Sequence, residues 1–309
     1  MSLPASLHAR LSLPAIAAPM FLISGPDLVV ESCRAGVIGT FPSLNQRSTE
    51  GYADWLAEIR ERLAAAPRAA PFGVNLIVHR TNKRLEADLK VTVDNKVPLV
   101  ITSLGAVSEL VDAVHSYGGL VFHDVISRRH AEKATEAGVD GLIAVCAGAG
   151  GHAGTLSPFA FLPEIRSFFD KTLILSGAIS TGRQIAAAQM LGADLAYLGT
   201  RFIATRESRA RDEHRQMIVE AGTKDLIYTP AVSGVPGNFL RASLEKAGLD
   251  PENLPTGTEL SLDHEARVWK DIWSAGQGSA AIDDIPSVAE LCERLKREYN
   301  EARREFPSA

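Results

Sequence analysis

Cysteine is scarce in this chain: Cys33, Cys146 and Cys292 are the three in 309 residues, far apart and with no C-x-x-C spacing. That argues against a disulfide framework and a cysteine-ligated zinc site, and it fits a reducing compartment. No apolar run reaches the roughly 18 residues of a membrane span. Met1-Ser-Leu-Pro-Ala5 has no basic segment followed by an apolar one. A cytoplasmic protein with no membrane partner is the expectation. Basic charge is short too: the net charge is −5 and no Lys/Arg cluster forms a phosphate-tracking stripe, which argues against a nucleic-acid partner. No two histidines have the i, i+4 spacing of a helical metal site, so no metal is expected. G-x-G-x-x-G after a strand, tandem repeats and low-complexity segments are missing as well.

What remains is a core-forming composition, 46% hydrophobic and 22% charged, long enough for one large domain or a domain with a sizeable insertion. Short apolar runs alternate with helical patterns. Strand-like segments fall at Pro14–Pro19, Val37–Phe41, Phe72–Val78, Pro98–Thr102, Leu120–Val125, Gly141–Val145, Thr172–Ser176 and Leu195–Leu198. Helical patterns lie between them at Asp27–Ala35, Glu50–Ala65, Asn82–Asp94, Ala106–Tyr117, Arg128–Ala137, Pro158–Phe169 and Thr181–Leu191. Eight such units with short connections predict an α/β fold, a closed (β/α)8 TIM barrel rather than an open doubly wound sheet. Functional residues of a barrel sit at the C-terminal ends of its strands. Met20, Asn75, Thr102-Ser103, His123-Asp124, Gly148 to His152, Ser176-Gly177 and Gly199-Thr200 all fall there.

The stretch from Val145 to Thr155 concentrates four glycines and three alanines around one ionisable side chain, His152. It leads to Ser157-Pro158, which reads as a helix start with Ser157 at the N-cap. Glycines at a strand end let backbone N–H groups approach a flat or anionic ligand. An imidazole placed there can exchange a proton with the ligand's partner; a tight turn with a solvated histidine is the competing reading. Ser176-Gly-Ala-Ile-Ser-Thr-Gly182 and Leu198-Gly-Thr-Arg-Phe202, after the last two strands, read as a phosphate cup with a helix N-terminus. Gly177 and Gly199 offer bare N–H groups, Ser176 or Thr200 a hydroxyl, and Arg201 either adds charge or faces solvent.

Ala18-Pro-Met20, Gly73-Val-Asn75, Gly148-Ala-Gly-Gly-His-Ala-Gly154, Ser176-Gly-Ala-Ile179 and Gly199-Thr-Arg-Phe202 together resemble the motifs of the nitronate monooxygenase family, once called 2-nitropropane dioxygenases. The resemblance implies FMN at the strand C-termini. Ser176, Gly177, Gly199 and Thr200 would take its phosphate, Ala18, Met20 and Asn75 would lie along the isoalloxazine, and Gly150-Gly151 would lie beside it. His152 matches the family's catalytic histidine, which takes the α-proton of a nitroalkane. The implied reaction turns nitronates or nitroalkanes and O2 into a carbonyl compound and nitrite. Two departures bear on that reaction rather than on the flavin barrel. Many members carry Gln-Gly-x-Glu before Ala-Gly-Gly-His, where this chain reads Val145-Cys-Ala-Gly148. Some place a lysine near the end of strand five, where this chain has His123-Asp124; an ionised Asp124 beside the flavin would disfavour its anionic reduced form.

His123 competes with His152 for the acid/base role, the alternative being a hydrogen-bonded core histidine; His79, His115, His130 and His214 read as surface residues. Residues 206–280 break the rhythm and read as a helical lid on a barrel of residues 1–205 and 281–309. The lid would hold a charged helix Arg206–Gly222, an irregular loop Tyr228–Gly237, and the stretch Trp269–Gly278 following a second helix. Gly276-Gln277 either reaches the flavin or substrate or ends a helix. The last helix, Ser287–Ala302, presents Val288, Leu291, Leu295 and Tyr299 to the barrel. Three activities stay open: nitronate oxidation, an NAD(P)H-dependent FMN reductase acting on quinones or enoyl thioesters, and a flavin-free barrel binding a phosphorylated metabolite.

Overall fold

In a computed structural model, which describes residues 3–255 and 269–305, eight parallel strands close into a barrel. In chain order the strands are β1 (Ala15–Ala17), β2 (Ile38–Pro42), β3 (Gly73–Ile77), β4 (Leu99–Ser103), β5 (Leu120–Val125) and β6 (Gly141–Val145). They continue as β7 (Gly151–His152), β8 (Thr172–Ser176), β9 (Leu195–Leu198), β10 (Leu226–Thr229) and β11 (Gly237–Leu240). β7, β10 and β11 form a separate small sheet. The other eight run round the barrel in sequence order, and β1 pairs with β9 to close it, Ile16 opposite Tyr197. These are the eight strands expected from the sequence.

Both faces of the barrel strands are buried, which is why they read as continuous apolar runs instead of alternating ones. Ile16, Ile38, Ile101, Phe122, Ile143 and Ile174 fill the interior. Val74, Val100, Val121, Leu142 and Leu173 point outward to the helices. Each such burial contributes ~1.5–3 kcal/mol, so the two layers together fix strand order and register.

The helices are α1 (Ala5–His8), α2 (Pro26–Arg34), α3 (Thr49–Ala64), α4 (Leu85–Asp94), α5 (Ser108–His115) and α6 (Arg128–Glu136). They are followed by α7 (Pro158–Arg166), α8 (Gly182–Met190), α9 (Thr200–Ile203), α10 (Asp212–Glu220), α11 (Arg241–Lys246) and α12 (Val288–Glu305). Ser157 occupies the N-cap of α7 as expected, though its hydroxyl makes no capping bond. α4 starts later than Asn82 because the Asn82 amide donates to the Ile77 carbonyl and accepts from the Arg84 N–H, holding that segment in a loop. α10 starts at Asp212 rather than Arg206, since the N–H groups of Arg206 and Arg209 bond the Pro286 and Ile23 carbonyls. α12 packs on α8 and α2 through Val288, Leu291, Leu295 and Tyr299, the face expected.

The insertion holds more β-structure than a helical lid. β10 and β11 pair antiparallel from Leu226 opposite Leu240 to Thr229 opposite Gly237, so the stretch read as an irregular loop is strand at both ends. Gly237 and Asn238 then pair with His152 and Gly151 of β7. Val232, Phe239, Leu244 and Ile272 form its own small core. Ahead of Trp269 the insertion holds a second helix, α11, as expected, while residues 256–268 lie outside the described residues. Among the described residues, no helix is long and apolar enough to cross a membrane.

Two side chains take places the sequence does not suggest. His214, expected at the surface, is buried: its ring stacks on Trp273 with centroids 5.1 Å apart and Nε2–H donates to the Ser274 carbonyl. Burial pushes its pKa down to about 4. Charged neighbours on the same helix mask it in the sequence. Arg201 neither joins the phosphate cup nor faces solvent; it is buried and bonds the Ala204 carbonyl and both the carboxylate and carbonyl of Asp284.

Candidate active site

A cleft of about 1480 Å³ opens at the C-terminal ends of the barrel strands. Ala18, Met20, Asn75, Asp124, Gly150, Gly151, His152, Ser176, Gly177, Gly199 and Thr200, the residues assigned a role from the sequence, all line it. So do Leu22, Leu104 and Ala178, non-glycine residues held at left-handed φ of 62°, 68° and 55°. Backbone strain of that kind gathers at functional sites.

Strand alternation builds the floor. Ser103, Asp124 and Tyr197 each stand one inward position beyond a residue that fills the barrel, namely Ile101, Phe122 and Leu195. Asn75 Nδ2 donates to Ser103 Oγ at 2.7 Å, and Ser103 Oγ donates to Asp124 Oδ2 at 2.5 Å. Asp124 Oδ1 is buried with no partner among the described residues. Burial pushes the Asp124 carboxyl up to about 6, against the pull of the Ser103 hydroxyl. Burial first and Asp124 second hold the Tyr197 phenol well above its ordinary value.

His123 is out of phase with this floor. It stands level with Thr102 and Leu142, whose side chains point to the outer layer, and its Nδ1 hydrogen-bonds the Thr102 hydroxyl at 2.7 Å. Burial pushes it down to about 4. It is therefore the hydrogen-bonded core histidine, held neutral.

The N–H groups of the cup left open to an anion lie in the turn after β8, not at the start of α8. At that helix start, the N–H groups of Ser180, Thr181 and Gln184 are taken by the Gln184 and Thr181 side chains, and that of Gly182 by Glu298. Just upstream, the N–H groups of Gly177, Ala178 and Ile179 have no acceptor among the described residues. Gly177 and Ala178 take φ of 137° and 55°. Successive free N–H groups in such a turn form a concave nest for an anion. A Cβ on Gly177 would lie 2.9 Å from the Ala147 carbonyl oxygen, so the position requires glycine. Across the nest, Thr200 Oγ1 accepts from the Gly276 N–H at 2.8 Å and keeps its own proton to donate.

The insertion clasps the glycine loop. Asn238 Nδ2 donates to the Ala149 carbonyl at 2.7 Å, Tyr228 Oη to that of Ala153 at 2.9 Å, and the Gln277 N–H to that of Gly148 at 2.9 Å. A Cβ on Gly237 would sit 2.6 Å from the Gly151 carbonyl oxygen, so the pairing with β7 depends on that glycine. Gly276-Gln277 thus backs the loop and opens a short 3-10 helix, Gln277–Ala281, instead of ending one. His152 Nε2 hydrogen-bonds Ser233 Oγ at 3.0 Å, and Ser233 Oγ donates to the Val235 carbonyl at 3.1 Å. With the hydroxyl proton so committed, the Ser233 oxygen is left to accept from His152 Nε2. Trp269 stands edge-on to the ring, centroids 5.9 Å apart.

Sequence reasoning misses Asn238, Ser233 and Tyr197. Asn238 reaches the loop across 89 residues of chain, through a strand pairing no local pattern announces. Tyr197 did carry a signal, its place near the end of the last barrel strand. A flat, phosphate-bearing cofactor fits this cleft on three counts: the nest, the glycine-lined wall, and Asp124 Oδ1, Ser180 Oγ and Trp269 Nε1 on its lining, buried and without a partner among the described residues. Among the described residues, no three His, Cys, Asp or Glu side chains group as metal ligands.

Comparison with known proteins bears on the family and the fold. The nitronate monooxygenase family model matches residues 80–298. A nitronate monooxygenase of Paraburkholderia phytofirmans is 27% identical over 94% of this chain and 93% of its own length. The (3aS,4S,5R,7aS)-5-hydroxy-7a-methyl-1-oxo-octahydro-1H-indene-4-carboxyl-CoA dehydrogenase of Rhodococcus jostii is 27% identical over 75% of this chain. The chain spans 63% of the length of that dehydrogenase and 56% of a relative from Mycobacterium tuberculosis. Among solved structures, nitroalkane oxidase from Streptomyces ansochromogenes superposes with a TM-score of 0.85 at 24% identity, covering 98% of this chain and all of that one, a likeness of fold. FabK from Thermotoga maritima gives 0.80 at 25% identity over 96% of each chain.

Proposed function

The chain belongs to the nitronate monooxygenase family, a family of oxidoreductases, and on that premise we propose that it is an FMN-dependent enzyme that converts alkyl nitronates or nitroalkanes and O2 to a carbonyl compound and nitrite. The observation that carries the reading is the seating of His152 in the same cleft as the Gly177–Ile179 nest. The nest would hold the FMN phosphate, with Ser176, Gly199 and Thr200 around it. Ala18, Met20, Asn75 and Gly150-Gly151 would line the ring. Asp124, with its pKa raised to about 6, would offer the ring a carboxylic acid below that pH and a carboxylate above it. Bound FMN supplies the electron acceptor and the subsequent reaction with O2, chemistry that belongs to the cofactor.

The rest falls to this chain's residues. His152 takes the proton from the carbon that bears the nitro group, the general-base task an imidazole is suited to. Ser233 and Trp269 fix its ring. Residues 206–280 act as a lid over the strand ends and keep water from the reacting carbon.

Anaerobic mixing of the FMN-loaded protein with propyl nitronate, NADH or NADPH tests the reading. Bleaching by nitronate and not by nicotinamides is expected, with nitroalkane turnover lowered roughly 10²–10⁴-fold in His152→Ala. Fast bleaching by NAD(P)H with no response to nitronate would sink it. That outcome belongs to a second reading, NAD(P)H-driven reduction of quinones or enoyl thioesters.

A further inference from the structure

The net charge of −5 hides an imbalance at the cleft mouth. Arg47, Lys83, Lys133, Arg209 and Lys270 line the cleft, and none forms an ion pair among the described residues. Among the described residues, the carboxylate on its lining is Asp124, down on the floor. Arg84 shows by contrast how this fold neutralises a cation it needs for structure. Its guanidinium bonds both carboxylate oxygens of buried Asp88 at 3.0 Å and the Gln46 carbonyl at 2.6 Å. The bond to Gln46 ties the loop after β2 to the loop after β3, and so sets Arg47 and Lys83 on adjoining, stitched segments. Asn82 fixes the second of these through the Ile77 carbonyl.

Unpaired like charges held at one mouth repel each other and raise the local concentration of anions. The flavin phosphate does not answer them. Its nest follows β8, whereas Arg47 and Lys83 follow β2 and β3, on the far side of the barrel ring. Several cations left over at one mouth suit a ligand that carries several charges, and a small nitroalkane is not one. We infer that Arg47 and Lys83, with the neighbouring mouth cations, form a second anion site for the phosphorylated adenosine diphosphate tail of a substrate or co-substrate. Coenzyme A thioesters and NADP(H) share that chemistry. The inference rests on this cleft being the flavin site, and is independent of whether nitronates are oxidised there.

Calorimetric titration of the FMN-loaded protein with 3′,5′-ADP, 2′,5′-ADP and 5′-AMP tests it. At least one bisphosphate should bind about tenfold more tightly than 5′-AMP, with an affinity that falls as salt rises. Preference for 3′,5′-ADP identifies a coenzyme A thioester as the source, and preference for 2′,5′-ADP identifies NADP(H). The double variant Arg47→Gln, Lys83→Gln should lose that tenfold while keeping its flavin absorbance. The charge-preserving Lys83→Arg should retain the affinity, and decides the matter if the double variant loses flavin. Equal binding of all three nucleotides, or an affinity unchanged in the double variant, overturns the proposal. Nitronate bleaching on the same samples reports the oxidase reading separately.

Discussion

The nest after β8 and the cationic mouth after β2 and β3 are both suited to anions, and they are made in opposite ways. The nest is backbone: three consecutive N–H groups, fixed by φ values that one glycine and one strained alanine supply. It has no side-chain freedom to lose when a ligand arrives. The mouth is made of long, flexible cations from segments far apart in sequence, exposed and so screened by salt over ~8 Å. The difference teaches what each can do. A rigid nest selects and holds; a flexible ring of charge attracts and steers.

The largest expected effect breaks the nest alone. Gly177→Val places a branched side chain at φ 137° and against the Ala147 carbonyl, and FMN affinity should fall by about 100-fold or more in a fluorescence titration. Salt sharpens the contrast next. Raising ionic strength from 0.05 to 0.5 M should weaken bisphosphate binding about tenfold and leave FMN retention within about twofold.

A smaller effect comes from the floor between the two regions. Asp124 is raised from its ordinary range to about 6, so the folded protein binds its proton more tightly than the unfolded chain. Its contribution to apo-protein stability is whole below the unfolded pKa, and is lost as pH rises through about 6, at no more than about 1.4 kcal/mol per pH unit. Asp124→Asn should flatten that slope in chemical denaturation. His214 bends the curve the other way: lowered to about 4, its contribution is present above the ordinary histidine value and is lost as pH falls toward 4. The smallest effect is Ala178→Gly, which relieves the left-handed φ of 55° and should change stability by about 1 kcal/mol or less.

The same contrast decides what could be seen in advance. The barrel was legible because strands buried on both faces announce themselves as apolar runs, and strand order follows the chain. The cleft residues on the barrel were legible because they stand where strands stop. His123 and Asp124 show the limit: adjacent residues on one strand, they differ by one step of alternation and face opposite layers. Reading them required the phase set by Phe122 in the barrel interior. The five mouth cations and the clasp by Asn238 had no local signature, since loops and strands distant in sequence create them only on folding. Arg201 was hidden by its motif: it sits beside the cup residues yet serves Asp284.

The last barrel unit is also interrupted: the chain leaves after α9 and returns at α12. Ser233, Gly237 and Trp269, which hold the His152 strand and ring, all lie on that excursion, whereas the nest belongs to the barrel itself. Descent can therefore act on the two separately. One contiguous segment can be exchanged or lengthened, and the surroundings of His152 change with it, without unpairing a single barrel strand. A change of cofactor has no such detachable part and would have to rebuild the barrel. Relatives of this architecture should accordingly diverge in what they act upon well before they diverge in what they carry.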